Sequence, residues 1–384
     1  MLAIIGGQVW TMAGKVYPKA VVLINNDKIT AVGPDLDVPK DADIIDASDK
    51  IILPGFIDAH CHVGIMEEIY RIEGDDGNEN TDPVTPQLRV IDGINPGDIG
   101  FRDALAGGVT TVACAPGSAN VIGGEMAVLK THGEVIDDMI LKFPAGLKAA
   151  LGENPKRNYG EAKKMPATRM ASAALLRETL VEAQNYLYRR RKGDVQGDGG
   201  KVERSLKNEA VARVLEREIP LRVHAHRADD IMTAIRIAGE FNIRLVLEHC
   251  TEGHLVAGHI AKAGVPAVVG PVITNRAKVE LKERDLKTAA ALARVGVQFA
   301  IMTDHPVVPV QYLSLSAGLA CRGGLSEDKA LEAITIEAAR ILGVDKFLGS
   351  LEPGKDADIV IMKGHPFDLR SKVTSVLVNG EKVV

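Results

Sequence analysis

Apolar runs bounded by glycine or proline recur through the middle of the chain, and stretches with helical spacing of apolar positions lie between them. Short continuous apolar runs of this kind read as buried strands, and their alternation with helical stretches predicts βα units around a parallel sheet. Eight runs can be counted: Gly55–His62, Val109–Pro116, Ala127–Thr131, Gly146–Leu151, Leu221–His226, Arg244–His249, Ala267–Val272 and Val297–Thr303. Helical candidates between them include Pro96–Ala106, Ala167–Arg191, Ser205–Glu218, Asp229–Glu240, Glu252–Ala263 and Asp285–Ala293. In number and order these fit the α/β class, as a (β/α)8 TIM barrel. A doubly wound open sheet would call for a Gly-rich phosphate loop after an early strand, and no G-x-G-x-x-G or Walker pattern is present.

The chain ends are patterned differently. Ala20–Ile24, the turn Asn25–Asp27 and Lys28–Val32 read as a hairpin, with a break at Gly33-Pro34. After about residue 345, Ile359–Met362, Val373–Val378 and Lys382–Val384 read as strands, with Asn379-Gly380 as a hairpin turn. We therefore expect a small β-sandwich domain built from residues 1–53 and 346–384, around a barrel at 54–345.

Two segments break the rhythm. Glu67–Arg89 is acidic and rich in Gly and Asn, and reads either as a lid over the barrel mouth or as a solvated loop. Lys192–Gly200 reads as a flexible insertion between two helices.

Composition narrows the partners. The chain has 384 residues and a net charge of −5, with no concentrated basic face, which argues against nucleic acid. No uncharged apolar run approaches the roughly 20 residues of a membrane span. The first residues lack a basic region followed by a long apolar run, so no secretory signal is expected. The four cysteines (Cys61, Cys114, Cys250, Cys321) are widely separated, which suits a reducing, cytoplasmic setting.

In such a barrel, chemistry sits at the C-terminal ends of the strands. The first strand ends in His60 and His62, which share a face because side chains two apart on a strand point the same way. The fourth carries Lys148, followed by Glu153. The fifth gives His224 and His226, the sixth His249 and the eighth Asp304, followed by His305. Any one of these could be a hydrogen-bonded structural residue, a snorkelling lysine or a helix cap. Together, imidazoles and a carboxylate at several strand ends are the donor types of a Zn²⁺-like metal centre.

Pro54-Gly-Phe-Ile-Asp-Ala-His-Cys-His62, with His224, His249 and Asp304, resembles the amidohydrolase superfamily of metal-dependent hydrolases. Gly107–Thr111, Thr335–Arg340 and Leu348–Asp358 are similar to that superfamily's flanking segments. The likeness spans nearly the whole chain, and within the superfamily it points to the imidazolonepropionase-like and prolidase-like branch.

The resemblance implies one or two divalent metal ions, most simply Zn²⁺. His60 and His62 would hold the inner ion, and His224 and His249 an outer one. Lys148 would bridge as a carbamate, since an ammonium cannot bind a cation, with Glu153 as the unmodified competitor. Asp304 would ligate and move the proton as a metal-activated hydroxide attacks a carbonyl. His226 and His305 stand as candidates for substrate or supporting contacts. Arg157 could hold a substrate carboxylate, or belong to a solvated basic loop.

The activity this implies is cleavage of a C–N bond in a cyclic amide, N-acyl or dipeptide-like small molecule. Deamination of an aminated heterocycle on the same metal chemistry is the alternative, and a non-catalytic scaffold of the same fold a third. A homo-oligomer is expected from the resemblance alone.

Overall fold

The computed structural model describes residues 1–69, 72–196 and 202–384. Eight strands form one sheet in chain order: Phe56–Cys61, Val109–Cys114, Ile122–Lys130, Ile140–Ala150, Leu221–Ala225, Leu245–His249, Ala267–Val269 and Phe299–Ile301. The last strand comes round beside the first, so the sheet is a nearly closed barrel. Each of the eight apolar runs contains or overlaps one of these strands.

The third strand departs from the expected all-parallel pattern. It runs antiparallel to both neighbours, pairing Ala127 with Cys114 on one side and Met126 with Gly146 on the other. Only residues 115–121 separate it from the second strand, and a parallel crossover needs a dozen residues or more. The chain therefore turns straight back, with no helix between these two strands. The four-residue helix Ile136–Met139 is the only one between the third and fourth strands.

Helices Ile99–Ala106, Arg169–Gln196, Leu206–Leu215, Ala228–Phe241, Ala257–Ala263 and Thr288–Arg294 match the six helical candidates, with ends shifted by a few residues. Ala257–Ala263 is shorter than its candidate because a 3₁₀ turn, Gly253–Leu255, precedes it. The candidate insertion at Lys192–Gly200 lies partly outside the described residues.

Two apolar layers hold the barrel. One lies between strands and helices and includes Leu147, Val223, Leu247, Ile231 and Ile260. The other fills the barrel interior with Ile57, Ala59, Ala113, Met126, Val246, Val268, Ala300 and Met302, and Ala338, Ile341 and Leu342 pack against it. Small and branched residues there leave the upper interior for larger polar groups.

Strands from both chain ends build the smaller layer. One sheet has four strands, Lys28–Gly33, Val21–Asn25, Leu2–Ile5 and Asp43–Asp46, and the other has six. In the second sheet Ile359–Lys363 pairs antiparallel with Ile51–Pro54, joining the C-terminal strands to the chain just before the barrel. Asn379 and Gly380 turn with φ 50° and 78°, and this left-handed pair closes the hairpin between Lys372–Val378 and Glu381–Lys382. The two sheets enclose a core of Ile4, Val9, Val22, Ile24, Ile52, Ile359 and Leu377.

Candidate metal centre

The first strand delivers two imidazoles. A register shift between Asp58 and Cys61 re-aims its end, and the His60 amide donates to Asp58 Oδ1 at 3.2 Å. His62 Nδ1 lies 2.7 Å from the Ala115 carbonyl, so that nitrogen carries the proton and Nε2 keeps its lone pair. The last strand answers across the barrel mouth. Asp304 Oδ1 lies 3.5 Å from His60 Nε2 and 3.3 Å from His62 Nε2. Donors joined to one zinc ion by bonds of about 2.0–2.1 Å at tetrahedral angles stand roughly 3.4 Å apart. The spacing of this trio therefore fits a cation.

A second group stands beside it. His224, His226 and His249 each offer a ring nitrogen, all within 4.8 Å of one another. The His224 and His249 rings are 4.1 Å apart, and the His60 and His249 rings 5.5 Å, which links the two groups. His249 Nδ1 donates to the Gly270 carbonyl at 3.0 Å, and His226 Nδ1 pairs with Thr251 Oγ1 at 2.7 Å. His226 Nε2 is buried with no hydrogen-bond partner. Burial pushes His62 below the usual imidazole range, His224 down to about 4, and His226 and His249 well below that range. Neutral imidazoles are what a metal needs.

The backbone is left-handed at two of these candidate donors and beside one of them, with φ 72° at His249, 49° at Cys250 and 57° at Asp304. Non-glycine residues held this way cluster at functional sites. For His249 the turn has a direct use: adjacent strand residues normally face opposite ways, yet both Glu248 and His249 approach His60.

Lys148 is buried, with Nζ 3.2 Å from His60 Nε2. Burial pushes its ammonium down to about 8, against the pull of Glu248 and Asp304. A group of this acidity is about one-tenth neutral at pH 7, far more than an exposed lysine.

The Amidohydrolase family profile matches residues 51–383. The chain belongs to the amidohydrolase family. A solved amidohydrolase from Thermotoga maritima MSB8 is 44% identical, covers 100% of both chains and superposes with a TM-score of 0.97. Amidohydrolase tasK of Hapsidospora irregularis is 29% identical over 94% of this chain, which spans only 39% of that relative's length. An imidazolonepropionase of Rhizorhabdus wittichii is 28% identical over 91% of this chain and 90% of its own. Such relatives support the imidazolonepropionase-like branch of the superfamily.

In this amidohydrolase the remaining candidates stand outside the two donor groups. Gly152, with φ 87°, turns the chain after the fourth strand and opens the helix Glu153–Glu161. The Glu153 carboxylate accepts from the Glu280 amide at 3.4 Å instead of joining either group. Arg157 is exposed on that helix. His305 is fully buried, and its Nδ1 accepts from the Val310 amide at 3.2 Å. Within Glu67–Arg89, of which residues 70–71 lie outside the described residues, Gly77 and Asn78 are pinned to the turn after the second strand, with Gly117 donating to the Gly77 carbonyl at 2.7 Å and Ala119 to Asn78 Oδ1 at 2.9 Å.

Three charged residues of the site escaped the reading of the sequence. Arg222 and Glu248 form a fully buried ion pair beneath the histidines. Arg222 precedes His224 by two in an apolar strand, so the two-residue period already placed it on the inward face. Glu280 comes from a 3₁₀ turn after the seventh strand and lies 3.7 Å from His224 Nε2 and 3.6 Å from His226 Nε2. Nothing local marks it, because only the closure of the barrel brings it there. No described helix is long and apolar enough to cross a membrane.

Proposed function

We propose that this amidohydrolase hydrolyses a C–N bond of a small cyclic amide, N-acyl or dipeptide-like substrate at a divalent metal centre. The observation that carries this reading is the pair of adjoining donor groups, His60–His62–Asp304 and His224–His226–His249, at the C-terminal mouth of the barrel. In the assignment we favour, His60, His62 and Asp304 hold an inner ion, and His224 and His249 an outer one. When bound, Zn²⁺ would supply a Lewis acid that polarises the carbonyl and acidifies water.

The chain's own groups do the rest. Asp304 takes a proton from the attacking water at a carboxylate oxygen and returns it to the leaving nitrogen. Lys148, neutral in part, adds through Nζ to carbon dioxide and releases one proton. The resulting carbamate would offer two oxygens and a negative charge, donors that would suit a divalent cation as the ammonium does not. His226, beside His224 and His249 and with Nε2 unpartnered, would touch substrate or complete the outer site.

Elemental analysis of protein purified without chelator, for wild type and Lys148→Ala in parallel, tests the assignment. About two ions per chain, falling to one or fewer in the variant, is the expected result. One ion in both removes Lys148 from the site, and none in wild type overturns the metal reading. Ammonia release across a substrate panel separates a deaminase from an amide hydrolase.

A further inference from the structure

Beneath the metal centre two adjacent strands carry opposite charges into the barrel. Arg222 Nε donates to Glu248 Oε1, and Arg222 Nη2 donates to the Ala59 carbonyl at 2.8 Å. Both side chains are 0% exposed. Well-packed apolar residues often serve stability as well as such a pair does, so burial alone does not account for it. The pair is also neutral overall, so it does not offset the charge of a bound cation.

The second oxygen of Glu248 supplies the missing purpose. Oε2 lies 3.3 Å from His60 Nδ1. At that separation the contact is not an aligned hydrogen bond, yet neither atom has another partner. The other nitrogen of the same ring faces Asp304 Oδ1 at 3.5 Å and Lys148 Nζ at 3.2 Å. An imidazole that faces a carboxylate with Nδ1 favours the tautomer with the proton on Nδ1, which leaves the lone pair on Nε2. His62 and His249 obtain the same tautomer from neutral carbonyls, Ala115 at 2.7 Å and Gly270 at 3.0 Å. His60 has an anion in that place.

We propose that Glu248 is a positioning residue that fixes the ring orientation and tautomer of His60 for a cation, and that Arg222 holds Glu248 in place to do so. This rests on the metal reading above. It assigns the inner site a charged support from the sixth strand, across the barrel from the ligand it orients.

The test compares wild type, Glu248→Gln and the double variant Arg222→Met/Glu248→Gln. The readouts are Zn²⁺ affinity by competition with a chromophoric chelator, the visible spectrum of the Co²⁺-loaded protein, and thermal unfolding of the metal-free protein. Glu248→Gln should lose about 10- to 100-fold in affinity for the tighter ion and alter the Co²⁺ spectrum. It should also unfold at lower temperature, because Arg222 is left unpaired. The double variant has no unpaired charge, so it should recover thermal stability and still bind metal weakly. Wild-type affinity in Glu248→Gln, or recovery of both properties in the double variant, would leave Glu248 a purely structural partner of Arg222 and overturn the proposal. Absence of metal from wild type would instead sink the functional reading together with this one.

Discussion

Asp304 Oδ1 reaches His62 Nε2 at 3.3 Å, so the last barrel strand meets the first across the mouth. Burial alone would raise this carboxyl, but His249, His60 and His62 outweigh it and hold Asp304 well below the usual carboxylate range. An ionised, nearly buried carboxylate can both ligate and accept a proton. Asp304→Asn keeps an oxygen in the same place and removes the basicity. We expect kcat to fall by about 10²- to 10⁴-fold while metal content is largely retained. Turnover on the enzyme's substrate, measured beside metal stoichiometry, checks this, and near-normal turnover would remove the assigned role.

Asp58 is the other carboxylate that ties the first strand to the last. It is fully buried and accepts from the Thr303 hydroxyl, from the Thr303 amide at 3.3 Å and from the His60 amide at 3.2 Å. Burial, only partly opposed by these bonds, pushes its carboxyl up to about 7 from 3.8. Between those values the folded protein keeps a proton that the unfolded chain has released. The Asp58 contribution to stability therefore falls as pH rises through this window, by a few kcal/mol at most at about 1.4 kcal/mol per unit. Asp58→Asn cannot ionise. Its stability relative to wild type should rise from about pH 4 to about pH 7 and then level off. Denaturant unfolding of the metal-free proteins across that range reads the slope. A difference that does not vary with pH would mean that Asp58 is ionised throughout.

The sequence was most legible where one strand carries its own signal. His60 and His62, His224 and His226, and the turn Asn379-Gly380 could be read from two-residue periodicity and turn chemistry alone. The direction of the third strand was less legible, because the apolar run Ala127–Thr131 begins five residues after the strand itself, at Ile122, and so makes the connection look longer than it is. Other features depend on distant chain segments. Glu153 stands close after Lys148 in sequence, yet the left-handed turn at Gly152 carries it to Glu280. Glu280 itself has no local mark. Glu248 is a single charge in an apolar strand, and its meaning depends on Arg222 from one neighbouring strand and His60 from across the barrel.

Away from the candidate metal centre, Lys130 binds the barrel to the sheets built from the chain ends. It lies at the C-terminal end of the antiparallel third strand, so it sits at the opposite end of the barrel from the histidines. The side chain is buried, with Nζ 2.8 Å from Asp356 and 2.7 Å from Asp358. Lys28 shares Asp356 and lies 3.4 Å from Asp27, which makes a network of two cations and three carboxylates. Burial raises the Asp358 carboxyl even with Lys130 beside it. Lys130→Met would leave that carboxylate without its cation, at a cost of about 3–5 kcal/mol. Lys130→Met/Asp358→Asn should recover part of the loss, because the double variant buries no unpaired charge there. Metal affinity should match wild type in both variants, since neither change touches a donor group. Thermal unfolding and chelator competition on the same samples decide it. A stable Lys130→Met would show that the network does not hold the two parts together, and a fall in metal affinity would show that it supports the site as well.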